Sequence, residues 1–210
     1  MTTYKQAFLF WKGVGMVILL SHVSAWAADS PLTVIRSSVE RVGAILQDPA
    51  YQGKDHRRER LAQVREIVLP WFATEEIAKR ALGVHWRNRT EDEKREFTRL
   101  FTALVEKSYS GTLDRYTSDV RFFFDRERIE DDFAEVNTRI LDPSQSKTFS
   151  IDYHLHRVGG GWLIYDVVIE NVSMVSNYRN QFHRVLSQSS YEDLVKSIES
   201  KLHDLDSSPS

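Results

Sequence analysis

The chain predicts an α+β domain: a curved antiparallel four-stranded sheet packed against a helical layer, with an apolar cavity between them. Three observations predict it. Apolar residues recur at helical spacing from residue 32 to residue 116, alternate with a period of two from 120 to 169, and then return to helical spacing. The alternating segments follow one another through short turns, as antiparallel neighbours do. The residues that would face inward are mostly aromatic or branched aliphatic, and a strongly curved sheet under helices tends to leave a conical hollow.

The first residues stand apart from that fold. Lys5 and Lys12 precede the uncharged run Gly13 to Leu20, and Ala25-Trp26-Ala27 follows, the pattern of a secretory signal peptide cleaved after Ala27. The run is short for a bilayer span, which needs ~20 apolar residues. Residues 28–210 are then one domain, long enough to bury a sizeable core. The whole chain has a net charge of −2, and loss of the two lysines makes it about −4, which argues against a nucleic-acid partner. With no cysteine there is no disulfide, thiol nucleophile, zinc-thiolate site or lipid-modified N-terminal cysteine.

Leu32 to Leu46 carries Val34, Ile35, Val39, Val42, Ile45 and Leu46 on one stripe and stops before Asp48-Pro49. Arg57 to Leu69 places Leu61, Val64, Ile67 and Val68 at helical spacing, and Pro70 ends it. A shorter helix runs from Thr74 to Leu82, with Gly83 as its stop. Thr90 and Glu93 form a capping box for the longest helix, which runs through Phe97, Phe101, Tyr109 and Leu113 to Tyr116, a length of ~40 Å. Gly111 interrupts it and could mark a bend.

The first strand alternates Val120, Phe122 and Phe124, the second Ala134, Val136, Thr138 and Ile140, and the third Phe149, Ile151, Tyr153 and Leu155. A Gly159-Gly160-Gly161 turn leads into the fourth, Trp162 to Ile169, apolar on both faces. Two helices, Asn177 to Ser187 and Tyr191 to His203, close the domain, and Asp206 to Ser210 reads as a frayed end.

Little in this pattern suggests chemistry. His154 and His156 share a strand face with Asp152, which reads as a solvated sheet face rather than a metal pair. Glu91-Asp92-Glu93 lies at a helix start and Glu130-Asp131-Asp132 in a turn, so neither is a shielded general base. Asp166 interrupts an apolar strand and must be paired if buried; capping backbone donors or holding an arginine such as Arg179 explains it better than catalysis. No catalytic residue, metal ligand or cofactor motif is therefore assigned.

The run Gly161-Trp162-Leu163-Ile164-Tyr165-Asp166-Val167-Val168-Ile169-Glu170-Asn171-Val172-Ser173-Met174-Val175-Ser176-Asn177-Tyr178-Arg179-Asn180-Gln181-Phe182 resembles the MlaC, or toluene-tolerance Ttg2, family. Ala81-Leu82-Gly83-Val84-His85-Trp86-Arg87 and the aromatic spacing of Phe97 to Tyr116 extend the likeness over most of the mature chain. Asn171 stands where the family usually has glycine, a mild change because asparagine tolerates positive φ.

The resemblance implies a periplasmic, monomeric carrier without enzymatic activity. It would move a glycerophospholipid between an outer-membrane lipoprotein complex and an inner-membrane ABC transporter with an MCE-domain subunit. Exposing an acyl chain to water costs ~0.8 kcal/mol per CH₂, so a two-chain lipid does not cross an aqueous gap unassisted. On this reading Tyr109, Leu113, Val136, Tyr153, Leu155, Val167, Ile169, Tyr178 and Phe182 line the pocket that hides the chains. Two other readings stay open. A structural adaptor of the transporter would have a filled core, and a hydrolase or isomerase would use Asp166 or Asp152 as its base.

Overall fold

The structure, a computed structural model, describes residues 30–53, 55–113, 120–143 and 146–207. Residues 1–27, expected to be a signal peptide, lie outside them. Helix α1 (Pro31–Gln47) starts where the Ser30 hydroxyl accepts from the Thr33 amide at 3.2 Å, with proline in its first turn. A single 3₁₀ turn (Pro49–Tyr51) follows, then α2 (Arg57–Val68), a second 3₁₀ turn (Leu69–Trp71) and α3 (Thr74–Leu82).

Gly83 ends α3 with φ 61° and ψ −130°, a conformation open essentially only to glycine. Its missing Cβ would meet nothing nearer than the Arg179 side chain at 3.5 Å, so a larger residue is penalised by backbone strain and not by a clash. Gly83→Ala is expected to cost about 1–3 kcal/mol, read as a lower urea midpoint at unchanged m. A cost below about 0.5 kcal/mol would contradict that origin.

After a 3₁₀ segment (Gly83–Asn88), α4 (Glu91–Leu113) opens on the expected reciprocal cap: the Thr90 amide donates to the Glu93 carboxylate at 2.7 Å and the Glu93 amide to the Thr90 hydroxyl at 3.2 Å. That backbone bond holds the Glu93 carboxyl below its ordinary range. The helix passes unbroken through Gly111.

Five antiparallel strands lie in chain order: β1 (Arg121–Glu130), β2 (Phe133–Asp142), β3 (Lys147–Val158), β4 (Gly161–Ile169) and β5 (Val172–Ser173). The fifth, two residues long, adds to the four the alternation predicts. It is made by a tight turn in which Glu170 and Asn171 take φ 49° and 64°, the positive pair that Gly159 and Gly160 supply in the preceding hairpin. Helix α5 (Met174–Leu186) begins three residues before the expected Asn177, because the Ser173 hydroxyl caps the Ser176 amide at 3.0 Å. Helix α6 (Tyr191–Ser207) continues through Asp206, where fraying was expected.

The interior divides into two clusters. One packs α3, α4, α5 and α6 around Phe97, Phe101, Tyr178, Phe182, Leu194 and Ile198. The other sets Val34 and Ile35 of α1 against Ala134, Val136, Leu155, Trp162 and Ile164 of the sheet. Phe72 packs against both, and the Ala73 amide beside it donates to the Ile164 carbonyl at 2.9 Å. Among the described residues no helix is long and apolar enough to cross a membrane.

Candidate functional site

Where the two clusters part, a cavity of about 970 Å³ opens between α2, α4 and the end of β4. Leu61, Ala62, Val64 and Val68 line it from α2, Phe101, Val105 and Tyr109 from α4, and Val167 and Ile169 from β4. Phe72, Ile77, Met174 and Leu205 complete its apolar wall. Charged side chains gather at its edges: Asp55, Arg57, Arg58 and Arg65 on the α2 side, and Glu106, Lys107 and Asp206 opposite, with Lys107 paired to Asp206. An apolar interior with a charged rim suits a ligand having a long apolar part and a polar end. Burial lifts the Tyr109 phenol above its ordinary pKa, with Tyr178 adding to the shift, so Tyr109 presents a neutral hydroxyl to the cavity.

A bulge in β4 decides which residues face this space. His154 pairs with Asp166 and Leu155 with Ile164, so Tyr165 is the extra residue. Strict alternation from Trp162 and Ile164 would carry Asp166 inward. The bulge resets it: Val167 and Ile169 pair with Tyr153 and Ile151 on the inward face, and Asp166 turns with His154 to the other. There its carboxylate accepts from the Val175 amide at 3.1 Å and from the Ser173 hydroxyl, joining β4 to the start of α5. Negative charge at a helix N-terminus is favourable, and both oxygens are engaged. Arg179, the expected partner, instead donates to Ser176.

Asp166→Asn is therefore expected to cost about 1–2 kcal/mol of stability, seen by denaturant unfolding, and to leave ligand occupancy unchanged. Lost occupancy at wild-type stability would instead make Asp166 part of the site.

Tyr165 also changes the surroundings of the two strand histidines. Its ring centroid lies 6.0 Å from that of His154 and 5.8 Å from that of His156, with the Arg80 guanidinium 4.1 Å over its face. The histidines are half-buried beneath it, not solvated as their alternation suggests. Desolvation holds His156 below its ordinary pKa, and its Nε2 has no hydrogen-bond partner. Among the described residues, no three metal-ligating side chains come together. Of the cavity hydroxyls, that of Ser110 is engaged with the backbone, donating to the Lys107 carbonyl at 2.9 Å.

Of the residues expected to line a pocket, the structure brings Tyr109, Val167 and Ile169 together on the cavity. Val136 and Leu155 are fully buried in the sheet cluster, and Tyr153 packs against them. Tyr178 and Phe182 belong to the helical cluster, with ring centroids 4.9 and 5.3 Å from Phe101. Leu113 ends α4, and its side chain lies outside the described set. Sequence reasoning missed α2, whose stripe Leu61, Val64 and Val68 is visible in the spacing but had no partner assigned to it.

The model of the MlaC protein family matches residues 36–200. The intermembrane phospholipid transport system binding protein MlaC of Haemophilus influenzae is 20% identical over 180 residues, 84% of each chain. A phospholipid-binding protein from Ralstonia solanacearum, solved in complex with a phospholipid, has the same fold. Its TM-score is 0.74 at 19% identity, over 85% of this chain and 99% of that one.

Proposed function

The chain belongs to the MlaC family, and from that premise we propose that it is a phospholipid-binding transport protein that holds its lipid by the acyl chains and performs no reaction on it. The observation that carries this reading is the cavity of about 970 Å³ between α2, α4 and β4. Its size is at the upper end of ligand sites, which run ~300–1,000 Å³. Its wall is aliphatic and aromatic while its rim is charged, so chains enter and the headgroup stays near water. At ~0.8 kcal/mol per buried CH₂, the roughly two dozen methylenes of two acyl chains contribute ~20 kcal/mol, more than the order of 4–15 kcal/mol lost in association.

The carrier works in the periplasm after loss of residues 1–27. It receives and delivers its lipid at an outer-membrane lipoprotein complex and an inner-membrane ABC transporter with an MCE-domain subunit. The lipid-transport name of the Haemophilus relative and the phospholipid in the Ralstonia complex support this reading. Engagement of Asp166 in helix capping weighs against the hydrolase alternative.

Native mass spectrometry on protein purified from a bacterial periplasm without detergent tests it. One glycerophospholipid per chain is the expected result. A protein that is empty and takes up no phospholipid from vesicles would sink the proposal.

A further inference from the structure

A second hollow of about 880 Å³ adjoins the first, between the end of α2, the turn after it and the first half of α4. The two differ in chemistry. The first is walled mainly by aliphatic and aromatic groups, while charged side chains make up about half the lining of the second, beside Thr74, Thr98 and Thr102 and the apolar Leu69, Pro70, Phe72 and Ala103. They share Arg65, Leu69, Phe72, Thr74, Thr102 and Glu106, so the passage between them runs past one ion pair.

That pair spans α2 and α4: the Arg65 Nε lies 3.1 Å from both carboxylate oxygens of Glu106. The remaining Arg65 contact is looser, Nη1 to the Glu66 carboxylate at 3.7 Å. Guanidinium carries five N–H donors in a planar fork, and only Nε is within hydrogen-bond distance of a carboxylate here. Both partners are half-exposed, so opening the pair costs little. An arginine at the boundary of an apolar and a polar compartment, with a displaceable carboxylate on it, is a place for an oxyanion attached to an apolar body.

We infer that Arg65 receives the phosphate of the bound lipid, exchanging the Glu106 carboxylate for the phosphodiester oxygens. The assignment rests on the carrier reading. Chains fill the apolar compartment, the phosphodiester sits at the junction on Arg65, and the rest of the headgroup extends into the polar hollow. Glu106 keeps the arginine neutralised when the site is empty and must give way for the lipid to seat. The protein then distinguishes a phospholipid from an uncharged diacylglycerol with the same chains, and free phosphate, lacking chains, does not hold.

The test measures affinity of the full mature chain for phosphatidylglycerol, for diacylglycerol with matching chains and for inorganic phosphate. Arg65→Gln is expected to weaken phosphatidylglycerol roughly tenfold while diacylglycerol changes less than about twofold; Arg65→Lys, which keeps the charge but not the fork, falls between. Glu106→Gln, which removes the competing charge, strengthens phosphatidylglycerol severalfold. Unchanged phosphatidylglycerol affinity in Arg65→Gln, or equal losses on both lipids, overturns the assignment. So does saturable binding of millimolar inorganic phosphate that needs Arg65, which would make this a free-anion site. Wild-type protein that takes up neither lipid overturns the carrier reading and this assignment with it, a result distinct from selective failure in the variants.

Discussion

Val105→Asp is expected to empty the protein of phospholipid without unfolding it. Val105 lies on α4 between Phe101 and Tyr109, packs on the edge of the helical cluster and lines the cavity. In the lipid-free protein a carboxylate there can stay hydrated, since Val105 is only partly buried and the charged Glu106 and Lys107 follow it in the cavity lining. Acyl chains entering the cavity would strip that water, at a penalty of several kcal/mol for the ion. At about 1.4 kcal/mol per decade, affinity should fall at least a hundredfold.

The fold should survive, because removing one partly buried valine costs about 1–2 kcal/mol against a total of ~5–15. Native mass spectrometry reads the occupancy and thermal unfolding reads the fold. Val105→Asn, similar in size but uncharged, should retain more lipid than the aspartate. Full occupancy in Val105→Asp would mean that the chains lie elsewhere.

The contrast between Val105 and its neighbours shows what the sequence carries and what it does not. Local signals placed the elements well: Thr90 and Glu93 marked the start of α4, and Gly83 marked the stop of α3. Each acts within a few residues, so spacing exposes it. The face a residue presents depends on partners far along the chain. Tyr109 and Tyr178 look alike as aromatic members of amphipathic helices, yet Tyr178 meets Phe101 and Phe182 in the core while Tyr109 faces the cavity.

Val167 and Ile169 were expected on the pocket, but the bulge that turns them inward was hidden for another reason. A single bulge residue, Tyr165, reverses the parity of everything after it, and alternation read along one strand cannot reveal an insertion relative to its partner. Likewise α2 was recognisable as a helix with an apolar stripe, but nothing local said that the stripe faces a hollow. A helix whose stripe finds no predicted partner is the signal to use.

Phe97→Ala is expected to produce the largest loss of stability and, unlike Val105→Asp, to act without touching the cavity. Phe97 is fully buried and absent from the cavity wall. Its ring centroid lies 5.7 Å from Phe101, 5.6 Å from Phe182 and 6.5 Å from Trp86, the last two as edge contacts. Truncation forfeits the transfer free energy of the ring and leaves a void that these large, mutually braced rings cannot close, about 3–5 kcal/mol together. For a domain of this size that lowers the thermal midpoint by ~10 °C.

The outcome bears on how the carrier is built. Phe101 belongs to the same aromatic group as Phe97 and also lines the cavity. The helical core is thus the rigid wall against which the lipid packs, while α2 is the opposing side, with only Val64 along its length fully buried. Bound lipid should therefore restore part of the midpoint lost in Phe97→Ala, by about 2.7 kcal/mol at a hundredfold excess over Kd. Equal midpoints with and without phospholipid would mean that the variant no longer binds the lipid, and that the aromatic core is needed to form its wall.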